Sequence, residues 1–347
     1  MQKSNNKKYS LKRIMLYVKD YLSIDGARKV IDLKIAGVPF KIALYSTFIN
    51  KRYIDPRVLE ATMNVDEVLA REYPSIKFCN EYNSTYVVDK AKNKPIKENG
   101  YGGYVSADSI SAFIMEDASN ERTVTHERIH QLLIHGNYSG PQNQITGEGK
   151  ALNEGFVEWL NVKHFNGTGS YIETLYFDIF KNIFSTEEML KMSTEGKSTE
   201  NWKKSFSQFT DIDVLKLLDD NFSSKRDFKE VLRSFNTVSK ELITVYFDYL
   251  KQKIKTCLMK NKATDSLRTV EEIKKITSLS IEEMSNSIAY LDSLYTVETK
   301  DKLLNEIILE HYKNDLRLFI EEINKLCSNI LILEKSYSSE QEVPKVI

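Results

Sequence analysis

Two histidines and a glutamate in the segment THERIHQLLIHG, residues 125–136, have the types and spacing of a metal site. His126 and His130 are four residues apart, so on a helix both imidazoles project from one face and can reach the same ion. Neutral imidazole is a good zinc ligand. Glu127 is rotated off that face but is close enough to reach a water molecule on the metal, as a general base must be. The alternative is an amphipathic helix with two solvated histidines.

A second segment, ALNEGFVEWL at residues 151–160, supplies a carboxylate that two histidines would still lack. Catalytic zinc commonly has three protein ligands and one open position. The apolar residues of this segment form one helical stripe, and Glu154 and Glu158 lie together on the other side. The pattern predicts Glu154 as the third ligand and Glu158 as the acceptor for the far nitrogen of a ligand histidine. The alternative is that both carboxylates face water.

The order HExxH followed by Asn-Glu-Gly-x-x-Glu resembles the gluzincin clan, which includes the thermolysin-like endopeptidases and the large zinc aminopeptidases. The chain reads HERIH, then 23 intervening residues, then Glu154, and the resemblance covers roughly residues 105–200. It implies one zinc ion per chain, bound by His126, His130 and Glu154. It also implies hydrolysis of peptide bonds with Glu127 as the general base and Glu158 in the surrounding shell.

The resemblance implies two further features and shows two departures. A strand before the HExxH helix would run along the cleft and pair with the substrate backbone, and residues 109–115 suit that role. A downstream Tyr would stabilise the oxyanion, for which Tyr171 is favoured over Tyr176. The Gly-Ala-Met-Glu-Asn motif of the aminopeptidases is missing, since the corresponding strand reads SAFIMED, which favours an endopeptidase. Arg128 is unusual within HExxH, and it would point away from the zinc.

The chain as a whole reads as α+β: a small mixed sheet and a helical catalytic domain, followed by an all-helical region. The predicted domains are residues 1–104, 105–236 and 237–347. Apolar spacing and turn residues predict helices at Leu11–Leu22, 56–74, 120–136 and from Ala151 to Phe165, and strands within 32–45, 76–89 and 105–117. Ser185 and Glu188 have the spacing of a capping box.

The composition bears on which partners the protein binds and on where in the cell it is found. Lys+Arg and Asp+Glu both number 49, so the neutral balance gives no support for binding to nucleic acid or to anionic membranes. No segment approaches the roughly 20 apolar residues of a membrane span. Three widely spaced cysteines do not form a disulfide scaffold. We therefore expect a cytoplasmic protein, with secretion by a route that needs no signal peptide left open.

Two functions from different classes are consistent with these motifs. The first is a zinc metallopeptidase that acts on a peptide or protein substrate. The second is a catalytically silent zinc-binding domain whose large helical C-terminal region binds a protein partner. Structural zinc usually has four protein ligands, whereas these motifs offer three ligands and a base, so the sequence favours the enzyme.

Overall fold

The chain is mostly helical, with two three-stranded sheets in its described part. The structure, a computed structural model, describes residues 24–49, 53–79, 84–93, 96–97, 102–106, 111–118, 120–167, 172–222, 228–260, 266–298 and 302–340. The helices are α1 (Ile24–Ile35), α2 (Phe40–Leu44), α3 (Leu59–Glu72), α4 (Glu121–Leu132), α5 (Lys150–Phe165), α6 (Phe177–Phe180), α7 (Thr186–Thr194), α8 (Ser198–Phe206), α9 (Val214–Asp220), α10 (Phe228–Lys260), α11 (Ser266–Glu298) and α12 (Lys302–Glu340). The strands are β1 (Thr85–Val88), β2 (Gly103–Ser106), β3 (Ser111–Met115), β4 (Ile134–His135), β5 (Tyr138–Ser139) and β6 (Gln142–Asn143). These elements confirm the α+β class.

Backbone contacts divide the chain into two compact units. The first contains residues 1–153, 157–170 and 190–199, and the second contains residues 154–156, 171–189 and 200–347. The domain boundaries after residues 104 and 236 stay a prediction. The helix predicted at Leu11–Leu22 lies outside the described residues.

The first sheet has the strand order β1-β3-β2, with β3 in the centre. β3 runs parallel to β1, where Ala112 is opposite Thr85, and antiparallel to β2, where Ile114 is opposite Gly103. The strands expected within 76–89 and 105–117 are therefore present in part. Because β3 is paired on both sides, the expectation that residues 109–115 lie open to a substrate backbone is wrong for Ser111–Met115, the part that the structure describes.

Both faces of this sheet are covered by helices, which explains why β3 is apolar on both sides. On one face Tyr86, Val88 and Phe113 pack against α1 and the turn that follows it. On the other face Ile114 packs against Val58 and Val124, which lie beside α3 and in α4. A strand that is buried on both faces lacks the alternation of a half-buried strand. The sheet thus holds α4, the helix of the HExxH motif, against a fixed surface.

The strand expectation for residues 32–45 is wrong, because this segment is helical in α1 and α2 and in the π-helical turn Tyr45–Ile49. Val30, Leu33 and Ala36 are buried at intervals of three residues, which is the helical period. Gly37, with a φ of 86°, separates the two helices, and Pro39 is the N-cap of α2. Short apolar runs around a glycine and a proline fit both periods, so local pattern alone was ambiguous here.

A small antiparallel meander joins the two helices that carry the motifs. α4 ends at Leu132, earlier than the expected Gly136-Asn137, because the chain turns there into β4. Residues Gly136 and Asn137 instead form the two-residue loop between β4 and β5. Gly136 and Gly140, with φ of 55° and 53°, each open one of the two tight turns, where a side chain would be strained.

The second unit contains three long helices, α10, α11 and α12, of 33, 33 and 39 residues. They pack through an aromatic core in which the Phe247 ring lies 5.1 Å from Phe319, and the Tyr246 hydroxyl donates to the Ser280 carbonyl at 2.5 Å. The expected all-helical character of residues 237–347 is thus confirmed where the structure describes them. In that described part, no helix combines the length and the apolar character that crossing a bilayer requires.

Candidate metal centre

Helix α4 directs both histidines of the motif to one point. The helix begins at Asn120, whose side-chain oxygen accepts a hydrogen bond from the Thr123 amide at 3.0 Å, as expected of an N-cap. One turn separates His126 from His130, and their Nε2 atoms are 3.1 Å apart. Two nitrogens bound tetrahedrally to one zinc ion at about 2.0–2.1 Å are about 3.4 Å apart, so the pair has nearly the separation that this ion requires.

Glu154 provides the third donor. Ligand atoms of His126, His130 and Glu154 all lie within 4.8 Å of one another, so these side chains form a group that could bind a metal ion. Glu154 lies in α5, the continuous helix that also carries Glu158. Both histidines are buried and Glu154 is partly exposed. Three protein ligands fit a tetrahedral metal that keeps a fourth position for another ligand.

Glu158 fixes the tautomer of the first histidine. Its Oε2 lies 2.7 Å from Nδ1 of His126, and the carboxylate is only 2% exposed. Because a carboxylate accepts, Nδ1 carries the proton and Nε2 keeps its lone pair for a metal. Asn161 donates to the same Oε2 at 3.2 Å, and the Thr125 hydroxyl donates to Oδ1 of Asn161 at 2.6 Å. This chain of hydrogen bonds holds α5 against α4.

The second histidine has a partner that the sequence analysis did not identify. The Asn153 side-chain nitrogen lies 3.3 Å from Nδ1 of His130, and its Oδ1 is buried without a hydrogen-bond partner. A neutral histidine that binds metal through Nε2 carries its proton on Nδ1 and needs an acceptor there. A half-turn of the Asn153 amide, whose two ends are similar in shape, supplies that acceptor. The position of Asn153 directly before the predicted ligand Glu154 is the sequence feature that could have identified it.

Glu127 lies against the edge strand β2. Its side chain is 6% exposed, and a Cβ placed on Gly103 would lie 3.0 Å from its Oε1 and 3.1 Å from its Cγ. The same Cβ would also lie 3.1 Å from the Phe113 carbonyl oxygen. Gly103 therefore provides the space that the Glu127 carboxylate fills, and sequence patterns gave no reason to single it out.

The glycine of the Asn-Glu-Gly motif, Gly155, lies where no side chain fits. A Cβ on Gly155 would lie 2.8 Å from the Glu173 carbonyl oxygen and 2.9 Å from the Glu173 Cβ. Glu173 belongs to the short 3-10 helix Ile172–Tyr176 and is 1% exposed. A glycine is needed at this position because another backbone segment approaches the helix too closely for a side chain.

Arg128 points away from the metal ligands, as expected, and anchors α4. The guanidinium is 1% exposed and pairs with Asp66 of α3 through two contacts, Nε–Oδ1 at 2.7 Å and Nη2–Oδ2 at 2.8 Å. It also donates to Oε1 of Gln131 at 3.1 Å, and Gln131 donates to the Ser84 carbonyl at 2.8 Å. The unusual arginine of the motif thus joins α4 to α3 and to the residue before β1.

Removing the partner of Arg128 should destabilise the first unit. We expect Asp66→Ala to lower the free energy of unfolding by about 2–3 kcal/mol, because a buried guanidinium would lose its charge partner. This loss is smaller than that for a fully buried ion pair because the Asp66 side chain is 41% exposed, so water can replace part of the interaction. Urea denaturation followed by circular dichroism measures the change. Glu67→Ala, one residue away and exposed, is the control, and an equal loss in both variants would contradict the assignment.

Of the two tyrosines considered for stabilising the oxyanion, the structure describes only Tyr176. Tyr171 lies outside the described residues, so its role stays a prediction. Tyr176 is 2% exposed, and its ring stacks on Phe235 with centroids 5.6 Å apart. Tyr176 is therefore a core residue.

The other histidines are not metal ligands in this arrangement. His164 is near the end of α5, where its Nε2 lies 2.9 Å from the Tyr73 hydroxyl, and burial lowers the pKa of its imidazole. His135 lies in β4 with its ring stacked on Tyr138. His311 lies in α12 beside Asp315, 3.3 Å away.

The site combines two imidazole nitrogen donors and one carboxylate, and Glu127 follows the first of these histidines in the chain. In the part of the chain that the structure describes, no fourth His, Cys, Asp or Glu joins the group. Comparisons of the chain with protein-family models, with curated proteins and with solved structures find no match. The chemistry of the site is therefore inferred from its own residues.

Proposed function

We propose that the protein is a zinc-dependent peptidase of the gluzincin type, with endopeptidase activity. The observation that carries this proposal is the group His126, His130 and Glu154, which has the donor set of catalytic zinc, and Glu127 directly follows His126 in the chain. A purely structural zinc site commonly has four protein ligands. The silent zinc-binding domain is therefore the weaker candidate.

The residues of the site have distinct roles in this proposal. Zinc bound there would supply Lewis-acid activation of a water molecule and of the scissile carbonyl. Glu127 accepts the proton of the attacking water and passes it to the leaving amine. Glu158, and Asn153 with its amide turned to present Oδ1, would hold the proton of each ligand histidine on Nδ1 and leave both Nε2 lone pairs for an ion.

The strand that receives the substrate backbone is β2 in this proposal. In the described part of the chain β2 pairs only with β3, so we assign the substrate to its other edge, where main-chain hydrogen bonds can form. Gly103 lies on β2 beside Glu127, so a peptide bound along this edge would have a peptide bond near the general base. The strand that contains SAFIMED is interior, so the lack of the aminopeptidase motif there does not bear on exopeptidase action. Endopeptidase action then rests on this edge, which can bind a peptide that continues in both directions.

A peptide-library digest tests the proposed activity. The purified protein loaded with zinc is incubated with a mixed library of quenched fluorescent peptides, and the cleavage sites are read by mass spectrometry. We expect internal cleavage that 1,10-phenanthroline stops and added zinc restores. A protein that binds one zinc ion per chain and cleaves no peptide would instead support the metal-binding interaction module.

Gly103→Ala should reduce turnover without loss of metal. The added Cβ would lie 3.0 Å from Oε1 of Glu127, so the carboxylate must shift, and displacements of the base by part of an ångström cost about tenfold in kcat. Parallel measurements of kcat and of zinc content check this. Val105→Ala, at the next position on the same face of β2, is the control and should keep kcat. An unchanged kcat in Gly103→Ala would show that the close contact does not position Glu127.

A further inference from the structure

The beginning of helix α8 is hydrogen-bonded to the meander that joins the two motif helices. The Ser198 hydroxyl donates to the Gly140 carbonyl. The Thr199 hydroxyl donates to the next carbonyl along the chain, that of Pro141, at 2.7 Å. Ser198 and Thr199 are 0% and 1% exposed, and all four residues belong to the first unit. Because a buried carbonyl that loses its donor is costly, these two bonds fix the position of the turn between β5 and β6.

The other side of this turn packs against the first turn of α5. Gly149, the N-cap of α5, has a φ of 81°, and a Cβ placed on it would lie 2.6 Å from the Pro141 carbonyl oxygen. A Cβ placed on Gly140 would lie 2.5 Å from Oδ1 of Asn153. Both approaches are too close for a side chain, so each of the two positions requires glycine. The turn is thus enclosed between the beginning of α8 and the beginning of α5.

Asn153 connects this turn to a metal ligand. Its backbone amide donates to the Gly149 carbonyl at 2.9 Å, which places the residue in the first turn of α5. One end of its side-chain amide lies beside Gly140, and the other end lies 3.3 Å from Nδ1 of His130. The backbone of the turn therefore limits how far the Asn153 amide can move away from the imidazole.

We propose that Ser198 and Thr199 are positioning residues for the metal centre. Their hydroxyls hold the turn against Asn153, and the turn keeps the Asn153 amide on the His130 imidazole. A ligand histidine binds its ion best when a partner fixes the orientation of its ring, so a displaced Asn153 lowers metal affinity. This inference rests on the proposed function, and it gives a role in zinc binding to a helix that carries none of the three ligands.

A pair of glycine variants tests the contact between the turn and Asn153. Gly140→Ala places a methyl group 2.5 Å from Oδ1 of Asn153, so the amide must move. Gly136→Ala is the matched control: its φ is 55° against 53°, and no atom of the described residues lies within 4 Å of the added methyl group. Competition with a chromophoric chelator should show zinc affinity about tenfold lower in Gly140→Ala and unchanged in Gly136→Ala. Equal losses would assign the effect to backbone strain and would overturn the contact.

A second pair of variants tests the hydroxyls of α8. Thr199→Val keeps the shape of the side chain but removes the donor to Pro141, and we expect zinc affinity to fall about threefold, because the change reaches Asn153 only through the turn. Thr199→Ser keeps the donor and should restore the affinity of the wild type. The matched control is Thr62→Val in the same unit, since Thr62 is 0% exposed and its hydroxyl donates to the Val58 carbonyl at 2.9 Å. An equal loss in Thr62→Val would show that general destabilisation is the cause.

The ring nitrogens of His130 give a readout that depends neither on zinc nor on activity. In metal-free protein labelled with 15N at histidine, NMR at about pH 8 shows which nitrogen of each neutral imidazole carries the proton. We expect wild type to have the His130 proton on Nδ1. Gly140→Ala and Thr199→Val should each shift the His130 signals toward a mixture of the two tautomers, while His164 keeps its own signals.

These signals separate the inference from the proposed function. Unchanged His130 signals in both Gly140→Ala and Thr199→Val would overturn the positioning role. A wild-type protein that binds no zinc would contradict the proposed function, and the His130 signals would still decide whether the hydroxyls of α8 act on the imidazole through the turn.

Discussion

Glu127→Gln should reduce kcat/KM for peptide cleavage by at least about a thousandfold while the protein keeps its zinc. Glutamine has nearly the shape of glutamate, so it fits the space beside Gly103 that the carboxylate occupies. It cannot accept and return a proton, and the attacking water therefore loses its base. Zinc content is measured by plasma mass spectrometry and kcat/KM with a peptide found in the library digest.

The matched control for this variant is Glu121→Gln in the first turn of the same helix. Glu121 is exposed and does not belong to the metal-binding group, so its amide should leave both turnover and zinc content unchanged. Retention of most activity in Glu127→Gln would rule out the proposed proton transfer. Loss of zinc in Glu127→Gln would show that this residue is needed to assemble the site and would leave its catalytic role without support.

Glu154→Ala should remove the third ligand and weaken zinc binding by more than about a hundredfold, the upper end of what losing an outer-shell partner costs. Two histidines alone bind an ion through fewer bonds and in a less defined geometry. Competition with a chromophoric chelator gives the zinc affinity of each purified variant. We expect wild type to hold one zinc ion per chain and Glu154→Ala to lose it on dialysis.

Glu158→Gln is the graded comparison for this measurement. It keeps an acceptor near Nδ1 of His126 but removes the charge, so we expect a loss of about ten- to a hundredfold, smaller than that of Glu154→Ala. Equal losses in the two variants would mean that Glu154 acts only through the surrounding hydrogen bonds. Unchanged zinc affinity in Glu154→Ala would remove this residue from the donor set.

The two motif helices could be predicted because their signals are local. Asn120 caps α4 through its own side chain, and Asn166, in the left-handed conformation with a φ of 55°, ends α5 where Asn166-Gly167 was expected to stop it. The convergence of His126 and His130 then follows from the geometry of one helix, α4. These features need only a few neighbouring residues to be recognised.

The supporting contacts could not be predicted because they join distant parts of the chain. Arg128 pairs with Asp66, 62 residues away, and nothing near either residue indicates the other. Gly103 matters only because β2 passes beside Glu127, which depends on the pairing of β2 with β3. The order of the strands also decides which edge is open, and strand order is a property of the whole sheet.

The short meander between α4 and α5 has a consequence for how the protein is made. The metal-binding side chains and the two residues that hydrogen-bond to their imidazoles all lie between Thr125 and Asn161, so assembling this group requires only short loops to close. Segments built from near neighbours in sequence form quickly. All of these residues have therefore been synthesised before the three long helices, so an ion bound as proposed would find its ligands in the nascent chain.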